Sequence, residues 1–135
     1  MPNIAGKEAT YAHRSCSADR AKDRTLARNG LTLESIDLWE IHEAFAAQVL
    51  CNVAALEDET FLREKVRIGS SLGRFPWDRF NPNGGSIALG HPFGATGARI
   101  LSQAVKELAA LGPGKRAIVS ICADGGVGTV ALLQS

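Results

Sequence analysis

The sequence predicts a layered α/β domain with a mostly parallel sheet that ends in one antiparallel strand. Three observations carry that expectation. Apolar runs with strand-like and helix-like spacing alternate along the chain, as in βαβ units. A strongly amphipathic helix stands between two β-rich runs and ends at Gly112-Pro113-Gly114. The last two β-rich runs are joined only by the tight turn Asp124-Gly125-Gly126, which suits an antiparallel pair.

Taken in order, residues 1–16 mix Gly, Lys, Glu, His, Arg and Ser with few aliphatics and read as an irregular lead-in; residues 17–135 form the domain. Ser17 is suited to cap a helix over residues 18–28, closed by Asn29-Gly30; its many charges predict a largely solvated element. Large apolar side chains alternate over residues 36–41, the pattern of a strand, with His42 and Glu43 at its carboxyl end. From Ala44 the spacing changes to Phe45, Val49, Val53 and Leu56, and Ala46, Ala47, Leu50 and Ala54 make that helix apolar nearly all round, hence buried. Residues 57–80 read as a polar surface excursion with a short helix near residues 59–66. Asn81-Pro82-Asn83-Gly84-Gly85 is a turn, and residues 86–90 read as a short strand. A helix starting near Gly94 has Leu101, Ala104, Val105, Leu108 and Leu111 on one face. Residues 116–122 and 127–133 are the last two strands, giving four in all.

Composition narrows the function. With 135 residues, 45% apolar and 21% charged, the chain can bury a modest core as one domain. Fifteen Lys and Arg against fourteen Asp and Glu leave a net charge of +1, too little for a broad nucleic-acid or membrane-surface binder. Cys16, Cys51 and Cys122 are odd in number, irregularly spaced and lack a CxxC pair, so reduced thiols fit better than a disulfide framework or a zinc site. The start has no apolar secretory run and no stretch approaches the length of a membrane span, so the expected location is the cytosol or an organelle lumen.

Ligand-facing residues in open α/β sheets gather at the carboxyl ends of parallel strands. Three apparent strands end in His42-Glu43, Gly90-His91-Pro92 and Cys122-Ala123-Asp124, which brings two imidazoles and a thiol toward one rim. Singly, each has a bland reading as a structural histidine or a packed cysteine. Together, beside glycine turns that let backbone amides approach a ligand, they form a candidate active site. Arg99, Lys115 and Arg116 read as solvated surface charge. Gly126-Val127-Gly128 imitates a dinucleotide fingerprint but opens a β-rich tail rather than a helix, and the glycines at 94 and 97 lack the Lys-Ser/Thr of a phosphate loop.

The block Asn81-x-x-Gly84-Gly85-Ser86-Ile87-Ala88-x-Gly90-His91-Pro92-x-Gly94-Ala95-Thr96-Gly97 resembles the signature of thiolases, enzymes that make or cleave 3-ketoacyl-coenzyme A. Two further pieces match in order. His42-Glu43-Ala44-Phe45 is similar to the family's Asn/His-Glu-Ala-Phe motif, and Cys122-Ala123-Asp124-Gly125-Gly126 to its terminal Cys-Gly motif. The histidine form of the first motif resembles the long-chain fatty-acid oxidation branch. The resemblance implies a three-layer α/β/α half with a mixed sheet; the family's half has five strands, so the first of them is missing here.

The resemblance also implies roles. His91 polarises a nucleophilic cysteine and helps hold the substrate thioester oxygen, Cys122 shuttles the proton, and His42 orients an oxyanion-hole water as donor or acceptor. The second oxyanion hole uses the backbone amide of Asp124, at a position that is usually Gly or Ala; a carboxylate there is unfavourable unless it turns away or is paired. The nucleophile belongs to the other, N-terminal half, which has no counterpart in these residues and which neither Cys16 nor Cys51 replaces. The expected activity is that of an acyl-CoA acyltransferase that is inactive alone. Acyl-CoA and coenzyme A are its substrates, it needs no resident cofactor or metal, and its protein partner is an N-terminal thiolase half or a second copy. The alternative is a non-catalytic thiolase-like remnant serving as an assembly or acyl-binding module. A metal site from His42, His91 and Cys122 would need a fourth ligand that nothing in the sequence supplies.

Overall fold

A computed structural model describes residues 17–123 and 126–135 of the chain. The expected lead-in, residues 1–16 with Cys16, lies outside the described residues, as does Asp124. Helix α1 (Ser17–Arg28) ends as its Asn29-Gly30 predicts, with Gly30 at a left-handed φ of 64° and Leu31 N–H returning to Leu26 O at 3.0 Å. Its charge does not keep it in water: Lys22, Asp23 and Leu26 are fully buried. The helix lies across the sheet rather than beside it, and Lys22 Nζ donates to Ser120 Oγ at 3.3 Å. A charge at that depth needs such partners, a tertiary effect that helix composition does not show.

Among the described residues the sheet has three strands, β1 (Leu38–Ile41), β2 (Arg116–Ala123) and β3 (Val127–Gln134), in the order β1-β2-β3. β1 and β2 are parallel, with Leu38 opposite Ala117 and Ile41 opposite Ser120; β2 and β3 are antiparallel, as the tight glycine turn predicts. All four residues of β1 are buried because helices cover both faces of the sheet. Trp39, Ile41 and Ile118 pack toward α1 and α2 (Ala46–Glu57), while Leu38, Ala117 and Val119 pack toward the helix after His91. Two helical layers around a mixed sheet give the three-layer α/β/α arrangement.

Four further element readings are corrected. The helix expected to be buried all round starts at Ala46, not Ala44, and buries only Val49, Asn52, Val53, Ala55 and Leu56; Phe45 is 73% exposed and Leu50 59%. Its second apolar face has nothing to cover it among the described residues. The excursion after it runs over the surface but is not confined to it. It holds the expected short helix, α3 (Glu59–Phe61), capped by the Asp58 carboxylate and continued by a π turn (Leu62–Val66), and it sends Phe61, Leu62, Val66, Leu72 and Phe75 into the core. Phe80 bridges to Trp39, so this segment also covers the open edge of β1.

The run expected as a strand at residues 86–90 is instead the one-turn helix α4 (Ser86–Leu89), closed by Leu89 N–H to Gly85 O and Gly90 N–H to Ser86 O, both at 2.9 Å. Short apolar runs do not distinguish strand from helix by periodicity, and here the edge of β1 is already taken. The following helix, α5 (Thr96–Leu111), starts two residues later than expected and buries Thr96, Ile100, Ala104 and Leu108. Leu101, Val105 and Leu111 of the predicted face are exposed. The helix has two neighbouring apolar stripes, and the sheet takes the one spaced strictly by four.

Candidate active site

The site starts from a clamp on the end of β1. Asn81 adopts a left-handed φ of 40° and lays its amide along the strand like a neighbouring backbone. Its Oδ1 accepts from Ile41 N–H at 2.9 Å, and its Nδ2 donates to Ile41 O at 3.0 Å and to Glu43 Oε1 at 2.6 Å. The other Glu43 oxygen accepts from Ile87 N–H at 3.0 Å, at the start of α4. Gly85 makes this approach possible, because a methyl group there would land on the Glu43 carboxylate.

That clamp brings two rings together. His42, only 4% exposed, donates its backbone N–H to Ser120 O at 2.8 Å, and its Nδ1 lies 3.0 Å from Ser86 Oγ on α4. His91 reaches the same place from a different element than expected: it follows α4 through Gly90, whose φ of 92° turns the chain, rather than ending a strand. The two imidazole centroids are 4.3 Å apart with planes tilted by 48°. His91 Nδ1 sits 2.7 Å from Thr96 Oγ1 in the first turn of α5, and Phe93 packs edge-on against its ring at 4.8 Å. Burial holds His42 below its ordinary value of 6.5, and His91 and Arg99 push the same way against the weaker pull of Glu43, so its ring is neutral at pH 7.

Cys122 lies on β2 opposite Gly128, half-buried, with its sulfur 3.7 Å from Gln48 Oε1 of α2. Strand alternation puts it with Ser120 on the α1 and α2 face, while Ile121 turns toward Gly97 of α5. The structure thus joins His42 and His91 directly and reaches Cys122 along the backbone, two residues past the Ser120 carbonyl that receives the His42 N–H. Among the supporting residues, the sequence shows Asn81, Ser86, Glu43 and Thr96 as members of matching motifs, with no chemical part assigned to them, and gives no signal for Gln48. Asn81 and Ser86 are legible in the sequence as turn and strand composition and as members of the matching block, but nothing in local spacing links them to residues some forty positions earlier.

Beside the clamp, on the α5 face of β1, lies a polar cluster. Gln103 Nε2 donates to Glu107 Oε1 at 2.8 Å and reaches Glu40 Oε1 at 3.4 Å, Arg99 Nη1 donates to Gln103 Oε1 at 3.1 Å, and Asn83 Nδ2 donates to Glu107 Oε1. Arg99 is therefore half-buried in this network rather than solvated, and Lys115 is paired with Asp37 at 2.9 Å. Burial, and then the neighbouring Glu107, push the Glu40 carboxyl up to about 8, so it is an uncharged acid at pH 7. Among the described residues no group of three or more His, Cys, Asp or Glu side chains could hold a metal ion, and no helix is long and apolar enough to cross a membrane.

Comparison with known proteins decides the family. The sequence profile described as "Thiolase, C-terminal domain" matches residues 7–135. The chain belongs to the thiolase family. This thiolase domain is 41% identical over 112 residues to a probable 3-ketoacyl-CoA thiolase of Caenorhabditis elegans, covering 83% of the chain and 25% of that protein. It is 46% identical over 114 residues to a 3-ketoacyl-CoA thiolase of Erwinia tasmaniensis, covering 84% and 26%. It thus spans about a quarter of the length of the curated relatives it matches. Among solved structures, the peroxisomal 3-ketoacyl-CoA thiolase of Saccharomyces cerevisiae, a five-layered structure of two core domains of identical topology, superposes with a TM-score of 0.64 at 35% identity over 85% of this chain and 28% of that one. An Ascaris suum thiolase in complex with coenzyme A gives 0.63 at 34% identity over 96% and 28%. The thiolase resemblance and the α/β half-domain expected from it are both borne out.

Proposed function

We propose that this thiolase domain is the C-terminal catalytic half of an acyl-CoA C-acyltransferase, cleaving 3-ketoacyl-CoA with coenzyme A or running the reverse Claisen condensation. The observation that carries this reading is the imidazole pair, His42 and His91 at 4.3 Å, clamped at the carboxyl end of the parallel strands. A half carrying the nucleophilic cysteine completes the site, whether it lies in the same polypeptide or another.

In the thiolytic direction the nucleophilic cysteine loses its proton to His91 and attacks the keto carbonyl. The bond between the α and β carbons breaks, the acyl group stays on the enzyme as a thioester, and the departing acetyl-CoA carbanion takes a proton from the Cys122 thiol. The incoming coenzyme A thiol returns a proton to the Cys122 thiolate and its sulfur takes the acyl group, while the nucleophilic cysteine leaves as a thiolate and recovers its proton from His91. His42, through the water it orients, and the backbone amide of Asp124 stabilise the oxyanions. Coenzyme A thioesters enter as substrates, with no resident cofactor in this scheme. The peroxisomal relative supports an organelle lumen as its place of work, alongside the cytosol expected from the sequence.

The test is to mix the chain with a separately produced nucleophile-bearing half and follow loss of a 3-ketoacyl-CoA together with exchange of the acetyl-CoA α-protons. Turnover in the mixture that Cys122→Ser lowers by at least about a hundredfold, as expected of a lost acid-base group, supports the reading. Neither turnover nor exchange with any half favours the non-catalytic remnant.

A further inference from the structure

The two ring nitrogens of His42 do different work, and the structure indicates which carries the proton. Ser86 is buried, and its hydroxyl has His42 Nδ1, at 3.0 Å, as its one hydrogen-bond partner among the described residues. A serine hydroxyl has a single proton to place and two lone pairs that can be left unused. If His42 Nδ1–H were the donor, the Ser86 proton would be buried with no acceptor. If Ser86 is the donor, the ring proton lies on Nε2, which is not closed off from the site and can give that proton to water or a ligand there, and Ser86 leaves only lone pairs unused. Unpaired buried donors are the rarer and costlier defect.

We propose that Ser86 is a positioning residue that donates its hydroxyl proton to His42 Nδ1 and thereby holds His42 as the Nε2–H tautomer, a fixed hydrogen-bond donor in the site. The serine is held for this task from both sides. Asn81 ties the preceding turn to Ile41, and Glu43 ties the following residue, Ile87, to the end of β1. Of the two alternatives of the sequence reading, donor or acceptor, the pair selects the first: His42 donates, as the side-chain amide of the family's asparagine can. Of the groups facing the ring, His91 and Arg99 act with burial to keep it neutral against the opposing pull of Glu43, so it has one proton and one tautomer to choose. The inference rests on the thiolase reading for what the donor serves, and on the hydrogen bond alone for which tautomer is present.

The experiment is a long-range proton–nitrogen correlation spectrum of the full chain labelled with nitrogen-15 histidine, at pH 7. His42 should show a protonated, pyrrole-type Nε2 and a bare, pyridine-type Nδ1. Ser86→Ala should move both nitrogens toward a mixture of tautomers, and Ser86→Thr should restore the original shifts. A protonated Nδ1 in the unaltered chain overturns the proposal without recourse to any variant, and so do nitrogen shifts that Ser86→Ala leaves in place. In the mixture with a nucleophile-bearing half, Ser86→Ala should lower kcat about tenfold with KM unchanged, the rate equivalent of one hydrogen bond, and Ser86→Thr should recover it. Nitrogen shifts as expected with no turnover in the unaltered mixture support the tautomer and overturn the thiolase reading instead.

Discussion

His42 and Glu40 sit one residue apart across the end of β1, and burial pushes them in opposite directions along the pH scale. His42 is held below its ordinary 6.5, by burial first and then by His91. The unfolded chain therefore binds a proton there before the folded one does, so this contribution to stability is full above about pH 6.5 and is lost as the pH falls. His42→Asn should remove that acid-side slope, measured as the urea midpoint between pH 7 and pH 5. Glu40 has the opposite sign. Its folded value is raised from 4.5 to about 8, so its contribution is full below 4.5 and is lost as the pH rises toward 8. The slope from one proton is at most about 1.4 kcal/mol per pH unit. Glu40→Gln should flatten the alkaline side of the same curve and leave the chain more stable than the parent at pH 8; an unchanged alkaline slope would show that Glu40 is ionised in the fold.

The short helix α4 matters less for its own stability than for what it presents. One turn of helix is marginal by itself, and here it is fastened at Ile87 by Glu43, whose carboxylate lies close over Gly85, and at its end by the turn of Gly90 into His91. Gly85→Ala should force the Glu43 carboxylate aside and cost roughly 1–3 kcal/mol in denaturant unfolding, with the His42 and His91 ring resonances shifted together because one clamp holds both. Asn81→Ala should do comparable damage for a different reason. It leaves the backbone N–H and C=O of Ile41 buried without the amide that satisfies them, at a cost of roughly 1–3 kcal/mol. α5 is the counterpart on the other side: its Ile100, Ala104 and Leu108 stripe meets the sheet, and its Leu101 and Val105 stripe faces away.

Across the whole chain the exposed apolar side chains cluster on the elements that carry the site: Phe45 and Leu50 on or beside α2, Ile87 and Leu89 on α4, Phe93 at 89% exposure after His91, and Val105 on α5. Surface of this kind favours association. Sedimentation velocity should show the chain self-associating with rising concentration, and addition of a nucleophile-bearing half should replace those species with a defined complex; a monomer unchanged at every concentration would count against it. Much of this molecule is legible in its residues. The Asn29-Gly30 stop, the antiparallel final pair across its glycine turn, the helix ending at Gly112 and the histidine and cysteine motifs all rest on local backbone preferences or short fixed spacings, which a linear chain displays. What the chain does not display is burial and partnership across distance. Whether Lys22 is solvated or buried, which stripe of α5 meets the sheet, whether residues 86–89 coil or extend, and which hydroxyl faces His42 all depend on neighbours many residues away. Those contacts exist only once the layers have packed, because solvation and hydrogen bonding are settled by what surrounds a group in space and not by what precedes it in the chain.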